Sequence, residues 1–140
     1  MTDTLMDTGP LVAVLNRGDR YHSDCATMLR SHGGPFYTTL PVLTEAMYLC
    51  EQRLGWPAQD ALWKMTLRGD LLLEHPSPLD LVRMADLMKR YRDRPMDFAD
   101  ASLVALAERL ALSRIFTLDR DGFSTYRLKG DRAFILLCPR

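Results

Sequence analysis

Short apolar runs of strand length alternate with longer segments of helical pattern along this chain of 140 residues. Such alternation is typical of right-handed crossovers between parallel strands. Helices then cover both faces of the sheet, so the strands can be apolar throughout. The pattern predicts an α/β fold around a mostly parallel, five-stranded sheet, with strands at residues 4–6, 36–39, 71–74, 115–118 and 133–137.

The segments between these runs carry helix start and stop signals, chiefly proline near their beginnings and glycine after their ends. Two of the predicted helices, at residues 41–53 and 99–112, are apolar around most of their circumference, so we expect both to be buried. The other predicted helices lie at about residues 11–16, 23–30, 58–67 and 81–92.

Size and charge limit what the chain can be. A chain of 140 residues with 47% hydrophobic residues can bury a core of its own, so we expect a single domain over residues 1–140. Eighteen basic and eighteen acidic residues give a net charge of zero. That balance argues against a protein that coats nucleic acid non-specifically, and any nucleic-acid contact requires a local basic patch.

Cysteine usage and hydropathy indicate a cytoplasmic protein. Cys25, Cys50 and Cys138 are odd in number and widely spaced, which argues against a disulfide framework and against a zinc site. We expect them to be buried thiols. No apolar run approaches the length of a membrane span, so no membrane partner is expected.

Acidic residues follow two of the predicted strands. Asp7 comes directly after Leu5-Met6, and Asp119 comes directly after Thr117-Leu118. In an open parallel sheet, ligands bind beyond the carboxyl ends of the strands, near the point where strand order reverses. The fold is therefore expected to bring these two carboxylates to the same edge of the sheet.

Further acids lie on the helices. Asp97 and Asp100 are separated by about one helical turn, a spacing that fits a shared cation. Asp97 fits equally well as a helix N-cap. Glu45 lies on a helix that is apolar nearly all round, although a single helical Glu is usually a surface residue. Asp121 is interpreted as a turn residue, because Asp-Arg-Asp-Gly is favourable turn chemistry.

Four carboxylates gathered at one edge repel one another strongly, by roughly 4 kcal/mol per pair at about 4 Å and an effective dielectric near 20. Such a cluster requires divalent cations or protonation. All-oxygen ligands favour Mg²⁺ or Mn²⁺ over zinc, and paired ions can activate water and stabilise a leaving oxygen in phosphoryl displacement. The acids therefore predict nuclease chemistry.

The segment Lys89–Arg94 is the best candidate for a basic patch. Its cations surround Tyr91 shortly before Asp97, so it is able to guide RNA phosphates toward the acids. A solvated helix C-terminus, favoured by the helix dipole, is the alternative that we prefer.

The ordered set of motifs resembles the PIN-domain ribonucleases, and especially the toxins of VapC type. The motifs are LMDTGPLVAVLN, TE, DFADASLVALAE and TLDRDGFSTYR, which together extend over nearly the whole chain. The resemblance implies a three-layer α/β/α sandwich and an endoribonuclease dependent on Mg²⁺ or Mn²⁺. Its metal-binding and catalytic residues would be Asp7, Glu45, Asp100 and Asp119, with Asp97 as an auxiliary acid.

The same resemblance implies partners: an RNA substrate, a cognate antitoxin protein and a second copy of the chain in a homodimer. The sequence departs from the common family pattern at Asp121-Gly122-Phe123, which weakens a role for Asp121 and leaves Asp119 unaffected.

Two other functions remain open from the residues. A receiver-like signalling module also gathers Asp residues around Mg²⁺, but it needs an acidic pair after the first strand and a Lys after the fifth. Here the first strand is followed by Asp7 alone, and the last run ends in Cys138-Pro139-Arg140. A PIN-like domain that binds RNA or a partner without cleavage is the third possibility.

Overall fold

The computed structural model describes residues 3–139, which form seven strands and seven helices. The strands are β1 Thr4–Met6, β2 Phe36–Thr39, β3 Leu71–Glu74, β4 Arg114–Phe116, β5 Arg127–Leu128, β6 Arg132–Ala133 and β7 Ile135–Leu137. Five of them form one sheet in the order β3-β2-β1-β4-β7, and every neighbouring pair in it is parallel. The predicted five-stranded parallel sheet is confirmed.

The helices begin where the sequence provides capping groups. Thr39 caps the third helix, Ser77 and Asp80 form a capping box at the fifth, and Asp97 caps the sixth. Each of these side chains accepts a hydrogen bond from a backbone N–H that the helix leaves without a partner. The helices are α1 Thr8–Leu15, α2 His22–His32, α3 Leu40–Leu54, α4 Trp56–Arg68, α5 Pro78–Arg90, α6 Phe98–Leu110 and α7 Arg120–Thr125.

Strand order reverses at the centre of the sheet. The chain proceeds outward from β1 through β2 to β3, then returns to the other side of β1 with β4. Because crossovers are right-handed, this reversal places the helices before β3 and those after it on opposite faces. Helices α1 to α4 pack against one another, and α5 packs against α6. The result is a three-layer α/β/α sandwich.

The central strand and the helix α6 carry much of the core. Leu5 and Met6 in β1 are fully buried, as are Leu103 and Val104 in α6. The alanines of α6 are buried, and Ser102 on the same helix shares a 2.7 Å hydrogen bond with Thr39 of β2. The prediction that this helix is too apolar to lie on the surface is confirmed for residues 101–107, which are all buried, whereas Phe98 and Arg109 near its ends are exposed. The expectation of one domain over residues 1–140 stays a prediction.

The helix α3 is less buried than its composition suggests. Val42, Ala46 and Cys50 form its inner face, whereas Tyr48 and Leu54 are exposed. The prediction that this helix is well buried was therefore wrong, because apolar composition does not show which face of a helix finds a partner.

The C-terminal region differs most from the prediction. The run 133–137 is divided, since Ala133 belongs to β6 and only Ile135–Leu137 joins the main sheet. Strands β5 and β6 form an antiparallel pair. Gly130 and Asp131, both in the left-handed region at φ 81° and 60°, reverse the chain between them. Tertiary packing around buried Phe134 separates the two strands that the apolar run suggested as one.

Two smaller expectations concern cysteines and membranes. Cys25 and Cys50 are buried and Cys138 is half-buried, and all three are free thiols. Among residues 3–139, no helix combines the length and the hydropathy needed to cross a bilayer.

Glu108 connects three parts of the fold. Its carboxylate accepts two hydrogen bonds from Arg83 on α5, at 2.8 and 2.9 Å, and one from the Lys129 backbone N–H at 2.8 Å. The Glu108 side chain is only 7% exposed. Its loss therefore leaves a partly buried guanidinium and an N–H without their partner.

We expect Glu108→Ala to lower the free energy of unfolding by about 2 kcal/mol, measured by urea denaturation. The matched control is Asp60→Ala, which removes the exposed Lys64–Asp60 pair of α4 and should cost under about 1 kcal/mol. Equal losses in the two variants would contradict the role of Glu108 as a link between elements.

Candidate active site

Asp7 lies where the central strand β1 passes into α1. Its backbone N–H donates to the Phe116 carbonyl at 2.9 Å, so the ladder between β1 and β4 continues to this residue. Its side chain caps α1 by accepting a 2.8 Å hydrogen bond from the Thr8 N–H. Only 7% of Asp7 is exposed. The carboxylate is therefore fixed at the carboxyl edge of the sheet.

Thr117 connects two of the predicted site residues. Its hydroxyl donates to Asp7 Oδ2 at 2.7 Å and accepts from the Asp119 backbone N–H at 2.9 Å. Thr117 is fully buried. Thr117 was missed in the sequence, although its position two residues before Asp119, where the strand ends, was a usable signal.

Asp119 is the N-cap of α7. Its Oδ1 accepts a 3.0 Å hydrogen bond from the Gly122 N–H. A Cβ atom at position 122 would collide with the Asp119 carboxylate, so the glycine allows this close approach. Asp121 lies in the first turn of the same helix, which corrects its interpretation as a turn residue.

Asp97 and Asp100 occupy the start of α6. Asp97 caps the helix by accepting a 2.7 Å hydrogen bond from the Asp100 N–H, so the capping interpretation is confirmed. Asp100 accepts a 3.1 Å hydrogen bond from the Tyr126 hydroxyl. The Tyr126 ring is buried and packs edge-on against Phe123 and Tyr91, with centroids 5.2 Å away in each case. This buried phenol was also missed in the sequence.

All five predicted acids line one cleft. It has a volume of about 500 Å³ and lies beside the reversal of strand order between β1 and β4. Glu45, half-buried on α3, completes the acidic lining, whereas Asp121 is not part of it. The cleft is lined by Asp7, Thr8, Gly9, Glu45, Pro95, Asp97, Asp100, Leu118 and Asp119.

Burial shifts the proton affinity of the two innermost acids. Desolvation raises the pKa of Asp7 from 3.8 to about 6, and the nearby charges of Asp119 and Glu45 act in the same direction. Hydrogen bonds from Thr117 and Thr8 oppose the rise because they favour the ionised form.

The shift at Asp100 is larger. Its pKa rises from 3.8 to about 8, mainly because of desolvation, and the charges of Asp7 and Asp97 are the next largest causes. The hydrogen bond from Tyr126 lowers the pKa of Asp100. Burial, and then the neighbouring carboxylates, raise the pKa of Tyr126. Around neutral pH the cleft therefore holds at least one proton.

Among residues 3–139, no Lys or Arg side chain lines the cleft. Across residues 3–139, none of the ion pairs involves any of the five acids. In the same range, no three Asp, Glu, His or Cys side chains have the arrangement of a formed metal site. The fit to a divalent cation thus rests on the donor chemistry, which is all carboxylate oxygen, and on the cleft that these donors share.

The basic segment 89–94 is used structurally. The Tyr91 ring packs against Tyr126, and its hydroxyl accepts a 3.0 Å hydrogen bond from the Arg127 N–H. Arg92 donates to the Lys89 carbonyl at the end of α5. The preferred interpretation of this segment as a helix C-terminus agrees with these contacts.

Comparison with known proteins decides the family. The family model described as PIN domain matches residues 4–128, which include every acid of the cleft. The chain belongs to the PIN domain family. It is also 27% identical over 133 residues to ribonuclease VapC26 of Mycobacterium tuberculosis, across 95% of this chain and 98% of that protein.

Solved structures support the same PIN-domain fold. The chain matches the Mycobacterium tuberculosis VapC20 toxin, described as cleaving the sarcin-ricin loop, with a TM-score of 0.79 and 24% identity, over 85% of this chain and 92% of that one. It matches a chain of the DNA-bound VapBC2 complex of Rickettsia felis with a TM-score of 0.66 and 13% identity, over 99% and 100% of the two chains. At these identities the likeness concerns the fold.

The raised pKa of Asp100 makes stability depend on pH. Between about pH 4 and about pH 8 the folded state holds a proton that the unfolded state releases, so stability falls as pH rises through this window. Asp100→Asn removes this loss. In EDTA, we expect the variant to be more stable than the parent by on the order of 1–3 kcal/mol at pH 9, with the difference vanishing near pH 4.

Urea denaturation at several pH values measures this difference, with Asp121→Asn as a control that should follow the parent at every pH. A parent more stable than Asp100→Asn at pH 9 in EDTA would contradict the assignment of Asp100 as a desolvated, uncompensated acid.

Proposed function

We propose that this PIN-domain protein is a metal-dependent endoribonuclease that hydrolyses phosphodiester bonds in RNA, and that it acts as the toxin of a toxin–antitoxin pair. The observation that carries the proposal is the gathering of five acids from separate parts of the sequence in one cleft, without a cation from residues 3–139. The likeness to ribonuclease VapC26 supports the reaction class.

The proposed metal-binding and catalytic residues are Asp7, Glu45, Asp100 and Asp119. Carboxylate oxygens suit Mg²⁺ or Mn²⁺. When bound, such a cation lowers the pKa of water and stabilises negative charge on the phosphate in an in-line displacement. Hydrolysis adds the oxygen of water to phosphorus and releases the RNA hydroxyl on the other side of the broken bond.

The other residues orient these donors. Thr117 fixes one oxygen of Asp7, and Tyr126 holds one oxygen of Asp100. The capping hydrogen bond of Asp97 fixes the start of α6 at the cleft. Its proposed role as an auxiliary metal ligand is secondary. Preorganised donors of this kind avoid reorganisation when charge develops in the reaction.

Partners follow from the relatives. Neighbours in fold include DNA-bound VapBC complexes from Rickettsia felis and Salmonella typhimurium and a toxin–antitoxin complex from Klebsiella pneumoniae. We infer for this chain an RNA substrate, a cognate antitoxin and a homodimeric state, in the cytoplasm. Identification of a small protein encoded by the neighbouring gene, and its co-purification with this chain, tests the antitoxin.

The receiver-like alternative has no support from the structure. A receiver needs an acidic pair after its first strand, whereas only Asp7 follows β1. It also needs an Asp after its third strand, whereas β3 ends in Glu74, which pairs with Arg109 at 3.6 Å. A PIN-like domain that binds RNA or a partner without cleavage differs from the proposed nuclease in its need for a divalent cation. Titration calorimetry with Mn²⁺ separates the two, because a non-cleaving domain has no need of a divalent cation.

Substitution of the two innermost acids tests the reaction. We expect Asp7→Asn and Asp100→Asn each to reduce RNA cleavage in Mg²⁺ or Mn²⁺ by roughly a hundredfold or more, since each loses a charged ligand at the site of phosphate charge stabilisation. Asn still caps α1 at position 7, so folding should be retained.

Cleavage of a labelled RNA by purified protein gives the rates, and circular dichroism confirms that each variant is folded. Asp121→Asn is the matched control and should cleave at the parent rate. Full activity in either cleft variant, or activity that persists in EDTA, would refute the proposal.

A further inference from the structure

Cations are concentrated in two segments of the chain. Residues 89–94 and 127–133 together carry seven Lys and Arg residues and only two acids, Asp93 and Asp131. Because the whole chain has a net charge of zero, the remaining residues carry five more acids than cations. We define the basic surface as the six exposed cations of these segments, Lys89, Arg90, Arg92, Arg94, Lys129 and Arg132.

Aromatic contacts join the two segments. The Tyr91 ring packs edge-on against Tyr126 with centroids 5.2 Å apart, and its hydroxyl accepts a 3.0 Å hydrogen bond from the Arg127 N–H. The Arg90 guanidinium lies over the same Tyr91 ring, 5.4 Å from its centroid. Residues 127–133 include β5 and β6, which pack against each other as an antiparallel pair. The end of α5 and this pair of strands therefore form one surface.

Both segments border the acidic cleft. Arg94 directly precedes Pro95, which lines the cleft. Tyr126 directly precedes Arg127, and its hydroxyl donates to Asp100 in the cleft at 3.1 Å. The basic surface therefore begins where the acidic lining ends.

The fold does not neutralise the charges of the basic surface. Between residues 3 and 139, no ion pair includes any of its six cations. Arg92 and Arg132 donate to the backbone carbonyls of Lys89 and Lys129, contacts that hold the side chains and leave their charge uncompensated. Like charges held together repel one another. Clustered, unpaired cations on one face of a neutral chain indicate an anionic partner.

The position of the basic surface identifies that partner. A cation in the cleft engages the phosphate of the scissile bond, whereas the neighbouring phosphates of the strand are repelled by the acids unless positive charge lies beside them. Phosphate contacts with Lys and Arg supply the sequence-independent part of nucleic-acid affinity. The basic surface is adjacent to the cleft, where an RNA strand that enters the cleft has to continue.

We propose that the basic surface binds the backbone phosphates of the RNA strand next to the scissile bond, and that it adds affinity without reading the base sequence. This inference rests on the proposed nuclease function, because the same strand occupies the acidic cleft. The cations act in binding, and hydrolysis is left to the acids. Their loss should therefore change KM rather than kcat.

The triple variant Lys89→Gln/Arg94→Gln/Lys129→Gln tests the basic surface. Among the described residues, these three side chains make no hydrogen bond, ion pair or ring contact, so their substitution removes charge and leaves the fold intact. Circular dichroism checks folding.

The matched control is Arg17→Gln/Arg30→Gln/Arg53→Gln, which changes the net charge equally. Arg17 follows the end of α1, and Arg30 and Arg53 lie in the last turns of α2 and α3. Since α1 and α3 begin at the carboxyl edge of the sheet and α2 ends before β2 begins, all three cations lie toward the opposite edge. None of them lines the cleft.

Cleavage in Mn²⁺ over a series of KCl concentrations gives kcat and KM for two RNAs that the parent cleaves and whose flanking sequences differ. We expect the triple variant to have a KM raised roughly tenfold at low salt and an unchanged kcat. The slope of log KM against log salt should fall by about 2, since each phosphate contact on a single strand contributes about 0.7. Both RNAs should show the same effect, because phosphate contacts carry no sequence information. The control should behave as the parent does.

Three results would overturn the basic surface: an unchanged KM and salt slope in the triple variant, an equal rise of KM in the control, or a rise confined to one RNA. Fluorescence anisotropy in the Asp7→Asn background measures binding of the same RNAs without cleavage. A parent that cuts nothing, with anisotropy showing the expected loss of affinity in the triple variant, refutes the nuclease alone. A parent that cuts, with KM and slope unchanged in the triple variant, refutes the basic surface alone.

Discussion

The rest of this structure depends on how the fold offsets the cost of burying several carboxylates at the edge of its parallel sheet. Asp7 ends the central strand and is flanked by strands on both sides, so its carboxylate is desolvated by the fold itself. Asp100 faces the same cleft, and the mutual repulsion adds to the cost of burial. Retained protons reduce the cost of burying these carboxylates, and so do the hydrogen bonds from Thr117 and Tyr126.

Helix capping also stabilises the clustered carboxylates. Asp7, Asp97 and Asp119 are the N-caps of α1, α6 and α7. Three helix N-termini therefore converge on the cleft, and their partial positive charge stabilises carboxylates there. The same residues define where the helices begin and supply the proposed ligands, so local structure and site geometry have a common origin.

The sequence predicted the sheet and the gathering of acids because both depend on simple regularities. Strand-length apolar runs marked all five strands of the main sheet, and parallel topology brings residues after strand ends, such as Asp7 and Asp119, to one edge. Thr117 and Tyr126 were missed because their roles depend on contacts with residues far away in the chain. The exposed face of α3 likewise depends on which neighbours the helix meets.

We propose that the cleft holds protons until a divalent cation replaces them. Calorimetric titration with Mn²⁺ in buffers of different ionisation enthalpy counts the protons released on binding. With a pKa of about 8 at Asp100 and about 6 at Asp7, binding at pH 7 should release about one proton. Release should fall toward zero above about pH 9, where both groups are ionised. Binding at pH 7 without proton release, or no binding of Mn²⁺ at either pH, would contradict this account.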